Sequence, residues 1–281
     1  MLEVAFVAFW MAMAFYVAAT VLYAYHVATK RAALSWYATF ATGAGFLAHT
    51  ASIGLRSRAT SGTELSGSNV LVLMAWALVL VYFVLEHLVK RKVYGAFLVP
   101  IALVLMLVAQ IGGLSSTVLA ELPAEHAALL DNWRIGIHVA IIAFANAGYL
   151  ISAVASGVYL VLERQLKSRK TSKLMNRLPS LTQTDMIARR SVAWAFPGYT
   201  AGMILGALRA IETDVQLWWA DPRVVLAGIV WLVFVAYQLL RWRWGWGGRR
   251  AAYISLVGFV LVVVLAVVAR TVPAGFHIFG L

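Results

Sequence analysis

Cysteine is absent from the 281 residues. That excludes disulfides, thiolate metal sites and thiol redox chemistry within the chain. Charge is also scarce, with 12% of residues charged, where a soluble domain carries about a quarter. Acids are the rarer sign: 11 Asp and Glu stand against 23 Lys and Arg, for a net charge of +12. The amino terminus, "MLEVAFVAFWMAMAF", lacks the basic n-region and small-residue cleavage site of a signal peptide and reads as a first span. No P-loop, HExxH zinc motif or nucleophile elbow occurs, and neither does an internal repeat or a low-complexity tract. The spans lack paired carboxylates, and with no repeat symmetry this weakens an ion or solute transporter as a reading.

Apolar sequence fills the space these absences leave. Hydrophobic residues make up 63% of the chain, and the mean hydropathy is +0.85. The expected fold is an all-α polytopic membrane protein, one transmembrane helical domain over residues 1–281. A spanning helix needs about 20 mostly apolar residues. Eight segments qualify: 4–28, 33–55, 69–89, 94–113, 134–162, 191–211, 223–242 and 251–270. Eleven Trp and eleven Tyr suit the membrane–water interfaces.

The cations set the expected orientation. Seventeen of the 23 Lys and Arg fall after the first, third, fifth and seventh spans. That alternation puts those loops in the cytoplasm and both termini on the outer side. Counting acids as well leaves +14 inside and −2 outside. The membrane thus absorbs the positive charge, and no nucleic-acid partner is implied. The basic loop 165–190 is expected to lie along anionic headgroups, with docking of a cytoplasmic partner as the alternative. The sequence "GWGGRR" reads as a tight turn between the last two spans.

Six histidines remain to be placed. His26 and His87 sit at span ends beside cations, as snorkelling side chains do, and His126 lies in an acidic external loop. His138 lies one turn inside the outer end of the fifth span, and His277 lies in the tail "PAGFHIFGL". These two imidazoles could ligate a metal, haem iron included, or could simply pack and hydrogen bond. His49, two turns inside the second span, needs a partner, for which a backbone carbonyl or a Ser or Thr hydroxyl would serve. On the same outer side as His138 and His277, the loop "ETDVQLWWADPRVV" holds Trp218, Trp219 and the Asp221–Pro222 turn signal. By itself it could be an ordinary interfacial aromatic belt.

The order of these features resembles the CcsA branch of the CcsA/CcmC/CcmF haem-handling family, also called ResC-like or HemX-like, whose mark is a tryptophan-rich WWD loop. The likeness runs through "GFLAHTASIGLRSR", "SGSNVLVLMAWALVLVY", "HVAIIAFANAGYLISAVASGVYLVLERQLK", "GWGGRRAAYISLVGF" and "GFHIFGL". It implies haem b held by His138 and His277 beneath loop 212–222, with Trp218 and Trp219 as the stacking surface and Asp221 in the same loop. It also implies a transmembrane haem site at His49, with Arg134, Arg209 or Arg223 neutralising propionates. The implied function is haem export or presentation for attachment to apocytochrome c, in a bacterial plasma membrane. A CcsB/ResB-like subunit with an external soluble domain would complete a haem lyase. The loop departs from the family pattern. Arg209, Asp214 and Ala220 stand where tryptophans are expected, Val70 and Leu71 replace a "YE" pair, and Leu239 replaces a second membrane histidine. These departures support an alternative, a non-catalytic subunit that stabilises or regulates a larger membrane complex.

Overall fold

A computed structural model describes residues 1–29, 31–59, 68–89, 92–114, 133–168 and 178–271. Eight long helices run through them: α1 (Leu2–Thr29), α2 (Ala32–Ala59), α3 (Ser68–Val89), α4 (Gly95–Leu114), α5 (Trp133–Lys167), α6 (Leu181–Glu212), α7 (Pro222–Arg243) and α8 (Gly248–Thr271). Short 3-10 turns at Lys92–Tyr94 and Trp218–Ala220 precede α4 and α7. No strand occurs among the described residues. The all-helical, multi-pass membrane reading therefore holds. Helices α1–α4 belong to one compact unit, Met1–Asp131, and α5–α8 to a second, Asn132–Leu281.

Seven of the eight helices are long and apolar enough to cross a membrane. The other is α2, and its polarity has a definite place. Ser35, Ala38, Ala41, Thr42, Gly45, His49 and Ser52 are its buried residues, at helical spacing, whereas Trp36, Phe40 and Leu47 are exposed. The polar stripe faces the interior, where hydroxyls and small side chains make contacts that aliphatic residues cannot. Ser52, for instance, donates to the Ala5 carbonyl of α1 at 2.9 Å.

Helix α6 begins at Leu181, ten residues earlier than the apolar run suggests. Residues 181–190 of the expected loop 165–190 are therefore helix, which corrects their assignment as loop; residues 169–177 lie outside the described residues. Two side chains account for the early start. Ser180 caps the helix by accepting from the Gln183 N–H at 3.2 Å. Asp185, one turn on, accepts from Arg241 Nη1 at 2.9 Å, from Arg241 Nη2 at 2.7 Å and from the Gly248 N–H at 3.1 Å. Those bonds tie α6 to the end of α7 and the start of α8. The turn between α7 and α8 is as tight as the glycines suggest: Gly245 and Gly248 both take positive φ, at 62° and 57°.

Tyrosine fills both interiors. In the first unit Tyr16, Tyr23, Tyr82 and Tyr94 are fully buried. In the second, Tyr149 stacks on Phe234 at 3.6 Å with the rings nearly parallel, and Tyr199 and Tyr237 complete the cluster.

Candidate functional site

In the second unit the site is built on the close approach of α5 and α6. Gly198, Gly202 and Gly206 recur every four residues along α6 and face α5. A Cβ at Gly202 would come within 2.6 Å of Ile142, and one at Gly206 within 2.9 Å of the His138 ring. The imidazole thus occupies the space that a side chain at position 206 would fill. His138 Nδ1 lies 2.7 Å from the Gly202 carbonyl oxygen, which can only accept, so Nδ1 carries the proton. In the neutral ring this tautomer puts the lone pair on Nε2.

One turn before His138, Arg134 pairs with Glu212 at the end of α6. Arg209 Nη1 lies 3.8 Å from the same carboxylate, and its buried Nε has no hydrogen-bond partner. Two of the expected propionate cations therefore meet on one acid. Glu212 was given no role by the sequence reading, though its spacing from Arg209 could have suggested one.

The tryptophan loop continues directly from this end of α6. The helix closes with Thr213 N–H bonded to the Arg209 carbonyl, Asp214 N–H to Ile211 and Val215 N–H to Ala210. Asp214 takes the left-handed position, φ 51°, that such a cap requires and that glycine usually fills. Leu217 is also left-handed, φ 54°, and 62% exposed. Each non-glycine residue held this way costs about 1–2 kcal/mol. Between Leu217 and Asp221, Trp218 and Trp219 meet edge to face at 6.1 Å. Trp218 is half-buried and Trp219 exposed. Asp221 is buried, and its Oδ1 accepts from the Arg223 N–H at 2.8 Å, capping α7 ahead of Pro222. The observed contact of Asp221 is thus a helix cap.

In the first unit His49 is fully buried on α2. The Tyr16 hydroxyl of α1 lies 3.3 Å from its Nδ1. Tyr16 reaches it by packing over Gly45, where a Cβ would approach the ring to 2.8 Å. One partner is a phenol on α1, and the Val72 backbone of α3 supplies the kind of backbone contact expected. His49 Nε2 has no hydrogen-bond partner, although the Val72 backbone of α3 is nearby. His26 donates to the Arg31 carbonyl at 2.9 Å and so braces the turn before α2. His126 and His277 lie outside the described residues.

Comparison with known proteins supplies the context for this arrangement. Residues 65–277 match the family model described as "Cytochrome C assembly protein". The chain is 28% identical over 225 residues to the cytochrome c biogenesis protein CcsA of Guillardia theta, covering 75% of this chain and 74% of that protein. It is 29% identical over 235 residues to CcsA of Prochlorococcus marinus strain MIT 9303, covering 75% and 73%. With CcsA of Chlamydomonas reinhardtii it shares 28% over 222 residues, covering 75% and 58%. No solved structure matches it.

Proposed function

The chain belongs to the cytochrome c assembly protein family, and from that premise we propose that it handles haem for c-type cytochrome maturation. It holds or exports haem b across a bacterial plasma membrane and presents it on the outer face to an apocytochrome c. The proposed axial ligands are His138 and His277, and His49 is the proposed transmembrane site. The observation that carries this reading is the seating of His138. A metal-bound imidazole characteristically donates its second N–H to a carbonyl or carboxylate, which fixes ring and tautomer. His138 makes that bond to Gly202.

Other side chains fit the same group. A porphyrin is flat and apolar, and Trp218 and Trp219 offer aromatic faces beside the α5–α6 end. Its propionates are anionic, and the buried Arg209 Nε is a donor in want of an acceptor. Arg134 contributes charge while held by Glu212. At His49 the buried Nε2 is likewise without a hydrogen bond. When bound, haem supplies the porphyrin that becomes attached to cysteines of the apocytochrome. The chain's own residues hold it, orient it and screen it from water. Having no Cys, the chain leaves reduction of those cysteines to others. A CcsB/ResB-like subunit with an external soluble domain is the proposed partner. The excess of cations after alternate spans supports placing both termini and the tryptophan loop outside.

Absorption spectra of the protein purified in mild detergent test this. The expected result is a six-coordinate haem spectrum that is lost in H138A and in H277A. A protein that stays colourless when haem is added would overturn the reading. The residues Arg209, Asp214, Ala220 and Leu239 at positions of expected tryptophans and histidine favour a second reading, a non-catalytic subunit of a larger complex. A colourless protein that co-purifies with a stoichiometric partner would support it.

A further inference from the structure

A cavity of about 450 Å³ opens at one end of the first unit, lined by Trp36 and Thr39 of α2, Phe83, Glu86 and His87 of α3, and Lys92. Nothing in the haem reading uses it. Its floor is a closed set of hydroxyls on a carboxylate. The Tyr82 hydroxyl donates to Glu86 Oε2 at 2.5 Å and meets the Tyr23 hydroxyl at 2.5 Å. Thr39 lies 3.1 Å from Tyr23 and 3.2 Å from Glu86 Oε1. The chain can turn over this floor because residue 95 is glycine: a Cβ there would lie 2.5 Å from Tyr23 and 2.6 Å from Tyr82.

The Lys92 ammonium stands in the cavity. It is 3.7 Å from Glu86 Oε1, too far for a hydrogen bond, and 3.5 Å above the Trp36 ring. The ring and carboxylate hold the cation in place, yet its buried Nζ has no hydrogen-bond acceptor. An ammonium with three unsatisfied N–H groups, partly withdrawn from water, favours an anionic oxygen. Two further facts say which anion. The lining residues come from the start of α2, the end of α3 and the turn before α4, so the cavity lies at headgroup depth rather than midplane. Deeper along α2, Phe40 and Leu47 are exposed at 76% and 71%, an apolar track leading away from the ammonium.

We propose that this cavity binds the phosphate of an anionic phospholipid, with Lys92 as its hydrogen-bond donor and the exposed face of α2 as the seat of an acyl chain. A phosphate supplies several acceptor oxygens to one ammonium. A net negative headgroup suits the basic sequence here: Arg31 precedes α2 and Lys92 precedes α4, with Lys30, Lys90 and Arg91 their neighbours in the chain. A zwitterionic headgroup would bring its own ammonium up against them.

The test titrates the delipidated full chain in mild detergent with dioleoyl phosphatidylglycerol, dioleoyl phosphatidylcholine and inorganic phosphate separately, counting bound molecules by native mass spectrometry. Phosphatidylglycerol should bind the wild type and K92R alike and bind K92Q about fivefold more weakly, the weight of one cation near a headgroup. W36L should weaken it too, and K167Q, at an exposed lysine of the second unit, should not. Equal binding by wild type, K92Q and W36L would overturn the proposal. So would an equal loss in K167Q, equal retention of phosphatidylcholine, or saturation by inorganic phosphate that blocks the lipid. If K92Q does not fold, W36L decides, because that ring is 69% exposed and its loss spares the interior.

Discussion

The two helical units bury their polarity differently. In Met1–Asp131 it runs along the helices: Tyr16 against His49, then Tyr23, Thr39, Tyr82 and Glu86, all on inward faces of α1, α2 and α3. In Asn132–Leu281 the centre is an aromatic stack, and many of the charged contacts sit near helix ends. Asp185 binds Arg241 at one end of α6, and Arg134 meets Glu212 at the other. Charge at helix ends can serve as a staple, because water and headgroups share the desolvation cost. Polarity within the bilayer has no such help and is usually kept for function. The comparison marks His49 as a feature that folding alone does not require.

Four substitutions test that contrast. The largest effect is expected for Asp185→Ala. It strands the nearly buried Arg241 guanidinium and frees the α7–α8 turn, costing about 3 kcal/mol in the second unit, where breaking one partner of a buried pair leaves an uncompensated charge. Thermal unfolding in detergent should show a lowered transition, and an unchanged one would remove the staple from the account. Next is Gly95→Ala in the first unit. A methyl forced between Tyr23 and Tyr82 overpacks the interior by about 2 kcal/mol, read by the same melt.

His49→Leu separates stability from function. It removes a buried imidazole but strands the buried Tyr16 hydroxyl, so stability should fall by about 1 kcal/mol, while the proposed haem content falls. A destabilised protein with unchanged haem would make His49 a structural residue. The smallest effect belongs to Leu217→Gly. It relieves a left-handed leucine worth about 1 kcal/mol, and faster proteolysis beside Trp218 would show whether that strain holds the loop in shape.

Much of the architecture could be read from the chain. Seven helices long and apolar enough to cross a membrane follow from apolar run length, since a bilayer tolerates little else. The Asp221–Pro222 start of α7 and the glycine turn before α8 were legible from local backbone chemistry. The early start of α6 was legible only in part: the Ser180 cap is local, but Arg241, which holds Asp185, lies 56 residues from it. The partners of the histidines were hidden for a similar reason: Tyr16 is 33 residues from His49, and the Gly202 carbonyl is 64 from His138.

Run length, cation placement and turn residues are local or additive properties, so the sequence alone determined that this chain forms a bundle of membrane helices and where most of them begin and end. Which nitrogen of His138 carries its proton, which acid Arg134 and Arg209 share and which hydroxyls meet on Glu86 depend on groups distant in the chain. Only tertiary packing decided them, because a hydrogen bond forms within about 3.5 Å and no periodicity encodes that distance.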